Sequence, residues 1–190
     1  MFAQLILKSG RDRSVANRHP WVFSGAVKVF PDADNGQVVA VLTNQNQLLG
    51  YGFYSPKSQI TCRIFHFGEA PAAGFDAAFW KGKIDAALAL RQQLINTQTT
   101  TCYRLLHAEG DFLPGIIADV YGPVVVAQVL IKGTEHIYPM LEAALLAAGF
   151  QHIYLKQKEN SGFLEAVQLP KGWRTAPCAM PVRVLEHGLT

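Results

Sequence analysis

Three carboxylates, Glu109, Asp111 and Asp119, fall within residues 103–122 around a turn punctuated by Gly110, Pro114 and Gly115, in a chain whose formal charge is otherwise mildly positive at +3. Acids gathered at one turn can serve as a general base or hold a metal beside a substrate. Acids on strand ends also cap turns and pack against neighbouring segments. The second reading is favoured here, because nothing nearby in the sequence would build a cofactor pocket.

A second group is cationic. Lys8, Arg11, Arg13, Arg18 and Lys28 stand against Asp12 alone in residues 1–30, so the positive charge of the whole chain is concentrated there. Such asymmetry suits an N-terminal end that faces a polyanion, or simply a solvated basic face. Immediately afterwards, His19-Pro20-Trp21-Val22-Phe23 places two large rings at two-residue spacing, on one side of a strand. Cations beside exposed rings would grip single-stranded RNA, with phosphates on the cations and bases on the rings. Aromatic residues at strand spacing are more often packing, and Trp21 and Phe23 are expected in the core. Lys8, Arg11, Arg13 and Arg18 are then the expected phosphate contacts, and His19 can hydrogen-bond a base edge or a phosphate.

Other chemistry is missing from the sequence. No glycine-rich strand-to-helix turn would cradle a dinucleotide or a phosphate, and no Ser/His/Asp or HExxH arrangement is present. Cys62, Cys102 and Cys178 form no CxxC pair and have no metal-ligand spacing, which fits a reduced, cytoplasmic protein. The opening residues lack the order of a signal peptide, and no run reaches the length of a membrane span. No catalytic, cofactor-binding or metal-binding residue is therefore assigned, and a membrane is excluded as a partner.

The elements that must position these groups can be read in order. Residues 2–7 form a strand and 8–18 a polar connection. Residues 38–43, 48–54 and 60–67 are further strands, with a turn at 31–36. Gly50 and Gly52 inside a strand predict a bulge or a close backbone approach. On the last of these strands Ile60, Cys62, Ile64 and His66 alternate with Thr61, Arg63, Phe65 and Phe67, so both faces are partly apolar. Several short strands of this kind suit a small barrel or a strongly curled sheet.

Residues 71–74 are the expected linker. A helix follows, capped by Asp76 and stapled by Phe75 and Trp80, with Trp80, Ile84, Ala87, Leu88, Leu94 and Ile95 on its apolar stripe. Arg91 interrupts the stripe and would snorkel or pair with a carboxylate. Strands at 102–108, 116–121 and 124–130 come next. Thr134 resembles an N-cap but Pro139 would fall inside that helix, which predicts a bend or a late start. Leu141, Leu145 and Ala148 should form its buried stripe, with Gly149 ending it and a strand at 150–155. Residues 182–190 look like a strand without a partner.

The residues also carry a family resemblance. Arg18-His19-Pro20-Trp21-Val22-Phe23-Ser24-Gly25-Ala26, Gly52-x-Tyr54-Ser55-Pro56-x-Ser58-Gln59-Ile60, and Tyr103-Arg104-Leu105 with Asp111-x-Leu113-Pro114-Gly115-Ile116 together resemble the bacterial large-subunit ribosomal RNA cytosine-5 methyltransferases. The resemblance implies an α+β chain with an N-terminal PUA-like RNA-binding β-barrel over 1–70. A central α/β domain would follow over 75–190, running helix, antiparallel strands, helix, strand. It also implies ribosomal RNA as partner, with homodimer formation left open. Glu186-x-Gly188-Leu189 is similar to the family's lead into its Rossmann methyltransferase domain. The S-adenosylmethionine site and the nucleophilic cysteine are accordingly expected beyond Thr190, with no cofactor bound by this chain and no such role for its three cysteines. The chain departs from the family at Lys156-Gln-Lys-Glu-Asn-Ser161, where relatives carry an Arg/Asp-rich stretch, so no contact is carried over there. A stand-alone, non-catalytic RNA-binding protein with a PUA module is the alternative.

Overall fold

The computed structural model describes residues 2–156 and 167–190; residues 157–161 of the departing stretch lie outside the described residues. The chain divides into two compact units, Met1–Phe75 and Asp76–Thr190.

The first unit is a curled six-stranded sheet. Its strands are β1 (Ala3–Leu7), β2 (Trp21–Phe23), β3 (Val27–Val29), β4 (Val38–Leu42), β5 (Leu48–Tyr54) and β6 (Ile60–Phe67). Their order across the sheet is β2-β6-β5-β4-β1-β3, so β2 and β3 are its two edges and the sheet is a half-barrel. All pairs are antiparallel except β1 with β4. The parallel pair needs a long crossover, which residues 8–37 supply. Part of the expected polar connection folds as a one-turn helix, α1 (Arg13–Ala16), because Val15 reaches into the core.

Both faces of this sheet are buried, as the mixed alternation of β6 predicts. On one face Leu5, Leu7, Val15, Val22, Val27, Val39, Val41, Tyr54, Cys62 and Ile64 form a continuous core. On the other, the ring of Phe65 packs 4.7 Å from Phe53 and 4.9 Å from Phe75, and Phe75 lies 5.1 Å from Tyr51. The β5–β6 ladder has an irregular register between Tyr51 and Gly52. A Cβ on Gly52 would stand 2.5 Å from the Cys62 sulfur and 2.6 Å from the Arg63 carbonyl oxygen, and one on Gly50 would stand 2.3 Å from the His66 carbonyl oxygen. Here bulge and close approach occur together.

The second unit holds α2 (Ala77–Leu94), β7 (Cys102–His107), β8 (Ile116–Tyr121), β9 (Val124–Val129), α3 (Tyr138–Ala147), β10 (His152–Leu155) and β11 (Gly172–Trp173). The sheet order is β11-β10-β9-β8-β7, with only β9 and β10 parallel and α3 forming their crossover. Asp76 caps α2 by accepting the Phe79 N–H at 2.9 Å. Trp80, Ile84, Ala87 and Leu88 are buried as expected, but Leu94, in the last turn, is 69% exposed. The stripe has left the sheet before the helix ends. The Thr134 and Pro139 conflict resolves as a late start: residues Lys132–Ile137 form a 3-10 turn, and Pro139 sits in the first turn of α3, where no backbone donor is needed. Ala144 takes the buried place assigned to Ala148, which is exposed. Gly149 ends the helix at φ 94°.

The C-terminal segment departs from the expected lone strand. The Leu185 carbonyl accepts the Thr101 N–H at 2.8 Å, the Leu185 N–H donates to Thr101 Oγ1 at 2.8 Å, and the Gly188 N–H donates to the Thr99 carbonyl at 2.8 Å. It is held by the loop before β7 rather than by a regular ladder. Among the described residues no helix is long and apolar enough to cross a membrane.

Lys83 on α2 lies 5.1 Å from the Phe79 ring centre and 5.2 Å from that of Phe112, and burial lowers its pKa to about 8 from an ordinary 10.5. The unfolded chain binds more protons between those two values, so folding stability should rise with pH across that window. Lys83→Met should abolish the rise, which denaturation at a series of pH values would register; an unchanged profile would show that Lys83 is not its source. In the first unit, Gly52→Ala should lower stability by about 1–3 kcal/mol through overpacking against β6, measured by thermal melting.

Candidate nucleic-acid interface

The edge strand β2 is held by what precedes it. Lys8 anchors the start of the connection, its N–H donating to the Ala26 carbonyl at 2.8 Å and its Nζ to the Gly25 carbonyl at 2.9 Å. Val15 fixes α1 to the core, and the His19 N–H returns to the Ser14 carbonyl at 3.0 Å. Between them Arg18 sits in the left-handed region at φ 64°, an uncommon conformation for a residue with a Cβ. The Pro20 carbonyl then accepts the Ile64 N–H at 2.7 Å, which aligns β2 with β6.

That alignment overturns the core expectation for two aromatics. Val22 pairs with Cys62 and is 1% exposed, whereas Trp21 is 36% and Phe23 48% exposed. Side chains alternate across a strand, so one inward valine sends both rings outward. As an edge strand, β2 is paired with β6 and has no second neighbouring strand among the described residues to cover them. The rings form a row: His19 and Trp21 are 5.9 Å apart and Trp21 and Phe23 6.3 Å apart, both edge to face. The Trp21 N–H donates to His19 Nδ1 at 3.2 Å, so the neutral imidazole carries its proton on Nε2 and can donate outward.

Lys8, Arg11, Arg13, Arg18 and His19 are all exposed, and none makes an ion pair among the described residues. Arg18 lies 5.6 Å from the centre of the Phe67 ring. Lys8 is partly committed to Gly25. Arg63 was missed in the sequence: it stands directly across from Trp21 on the antiparallel partner, and therefore on the same outward side. Only the strand register reveals it.

The acids of the cluster are divided among separate partners. Asp111 receives Arg91 Nη1 at 2.7 Å and Nη2 at 2.8 Å, and its Oδ2 also accepts the His107 N–H at 2.6 Å. Both partners are largely buried. Asp119 pairs with Arg104 across the β7–β8 ladder, Nε to Oδ1 at 2.8 Å and Nη2 to Oδ2 at 3.2 Å, at a more exposed position. Glu109 belongs to the same 3-10 turn as Asp111 (Ala108–Asp111), and its carbonyl accepts the Phe112 N–H. Among the described residues no group of His, Cys, Asp and Glu is arranged to hold a metal. Cys62 is fully buried and its thiol is pushed up to about 12, so it stays protonated.

Removing one member of a buried ion pair strands the other, so Arg91→Leu should cost about 3–5 kcal/mol of folding stability. Asp119→Asn should cost about 1 kcal/mol or less, because Arg104 is half exposed. Asp111→Asn should lower the melting temperature more than it lowers RNA affinity; a large affinity loss at unchanged melting would make Asp111 a functional residue.

Residues 5–67 match the PUA-like domain family. Over its whole length the chain is 33% identical to the ribosomal RNA large subunit methyltransferase I of Escherichia coli O9:H4 (strain HS) and to that of Escherichia coli K12, and it covers 48% of each. The chain thus spans about half the length of the curated relatives it matches. Among solved structures, a Streptococcus mutans chain described as a SAM-dependent methyltransferase superposes with a TM-score of 0.78 at 17% identity, over 99% of this chain and 47% of that one. A methyltransferase complexed with SAH gives 0.77 at 17% identity, over 99% and 46%. These two likenesses establish the fold. The full-length match at 33% identity makes this chain, with its PUA-like domain at residues 5–67, a homologue of the N-terminal part of the ribosomal RNA large subunit methyltransferases I.

Proposed function

We propose that this chain is the RNA-binding and substrate-positioning part of an S-adenosylmethionine-dependent ribosomal RNA (cytosine-5) methyltransferase. The observation that carries this reading is the exposed row His19–Trp21–Phe23 on an edge strand, beside the exposed cations Lys8, Arg11, Arg13 and Arg18, none of which makes an ion pair among the described residues. Rings of this kind bind unpaired bases by stacking, and the cations neutralise phosphates. Homology to enzymes named for ribosomal RNA supplies the class of nucleic acid. Transfer of the methyl group belongs, in this reading, to a part of the enzyme outside these 190 residues, and S-adenosylmethionine is bound there. Arg18 is the principal phosphate contact, joined by Arg11, Arg13 and Lys8, and Arg63 adds a cation beside Trp21. The setting is cytoplasmic. A stand-alone RNA-binding protein with the same face differs only in lacking methyl transfer.

Phosphate contacts release counterions, so affinity for a structured ribosomal RNA fragment with unpaired bases should fall steeply with salt. Arg18→Ala should flatten the logarithmic salt slope by about one unit. Trp21→Ala should remove roughly 1–3 kcal/mol of binding and leave melting unchanged, since the ring is exposed. Fluorescence anisotropy across a salt series reads both. An Arg18→Ala variant with unaltered affinity and slope would move the RNA face elsewhere.

A further inference from the structure

The second unit contains a recess of about 340 Å³, open to solvent, between the C-terminal half of α2, the β7–β8 hairpin and the end of α3. Its volume lies within the range of small-molecule sites. The floor is aliphatic, and the rings of Tyr103 and Phe150 line it. Arg91 is the one ionisable cation in the lining among the described residues, and both Asp111 oxygens already hold it. Three of its five N–H groups are engaged among the described residues, which leaves two to offer. The amide of Gln92 and the hydroxyls of Thr97 and Tyr103 make no hydrogen bond among the described residues. Burial raises the Tyr103 pKa, so its phenol stays neutral.

A balanced arginine, uncharged donors and acceptors, and two rings over an aliphatic floor suit a ligand that is planar, uncharged and rich in hydrogen-bonding edges. A charged ligand would meet no uncompensated partner there. We infer that this recess is a binding site for a single unstacked nucleobase, presented by the RNA. The inference rests on the RNA-binding reading only for the source of the base. Extruding a base from its stack costs a few kcal/mol, and enzymes that act on bases recover that cost by enclosing the base between apolar and aromatic side chains.

The test is titration of the 190-residue chain with the four free ribonucleosides, followed by amide chemical shifts. At least one nucleoside should bind saturably, shift the amides of Gln92, Thr97, Tyr103 and Phe150, and bind almost equally at low and high salt, because it carries no phosphate. Ala148→Trp starts from an exposed position on the rim and should weaken binding roughly tenfold by filling the recess. Tyr103→Leu, which removes ring and hydroxyl, should do the same and serves if the tryptophan perturbs folding. Val29→Ala, an exposed position outside both proposed faces, should leave nucleoside binding unchanged. Absence of saturable binding, shifts that map away from the recess, or full affinity in both Ala148→Trp and Tyr103→Leu would overturn the site. Loss of the nucleoside site with salt-dependent RNA affinity intact sinks this inference alone, whereas salt-independent RNA affinity beside an intact nucleoside site sinks the RNA-binding reading alone.

Discussion

The close contact of β5 with β6 at Gly50 and Gly52 is the constraint on which the first unit depends. With any Cβ at either position the strands would have to move apart, since the nearest atoms lie under 3 Å and most are backbone. Their approach, together with the register irregularity beside it, bends a six-stranded sheet enough to bury an aliphatic core on one face and a cluster of phenylalanine and tyrosine rings on the other. A flat sheet of the same strands would leave one of those faces in water.

Curling also decides what remains outside. β6 has both faces committed, so its outer neighbour β2 can contribute only one side chain to the core, and Val22 fills that place opposite Cys62. Trp21 and Phe23 are exposed because of this geometry, at some expense in hydration. Large apolar side chains left exposed in a row are unusual on a protein surface, and here they lie beside the exposed cations of residues 8–18. The left-handed backbone at Arg18 fits the same picture, since a residue with a Cβ is held there only when its surroundings over-determine it.

Much of this architecture was legible in the sequence, for reasons that differ from element to element. Asp76, the apolar period of α2 and the glycines of β5 are local signals, and each led to the right element. Period two showed that Trp21 and Phe23 share a face, but it could not say which face is the core; size suggested the rings, whereas pairing with Cys62 selected the valine. Leu94 and Ala148 mislead because a helical period continues past the point where the helix leaves its partner. The hold of Thr99 and Thr101 on the C-terminal segment rests on backbone and hydroxyl bonds across a long sequence separation, and such bonds leave no periodic trace. The acids could be seen to cluster, but not that Arg91 and Arg104 would divide them.

That division separates two uses of arginine in one chain. In the second unit Arg91 and Arg104 are each matched to a carboxylate by paired hydrogen bonds, and their charge is spent on joining elements. In the first unit Arg11, Arg13 and Arg18 have no such partner among the described residues, and their exposed side chains face solvent. A net charge of only +3 conceals this difference, because the balanced residues cancel in the sum while the unbalanced ones share a single short segment. Electrostatic attraction at a few ångströms depends on local compensation and not on the total. The first unit can therefore attract a phosphate backbone even though the chain as a whole is barely basic.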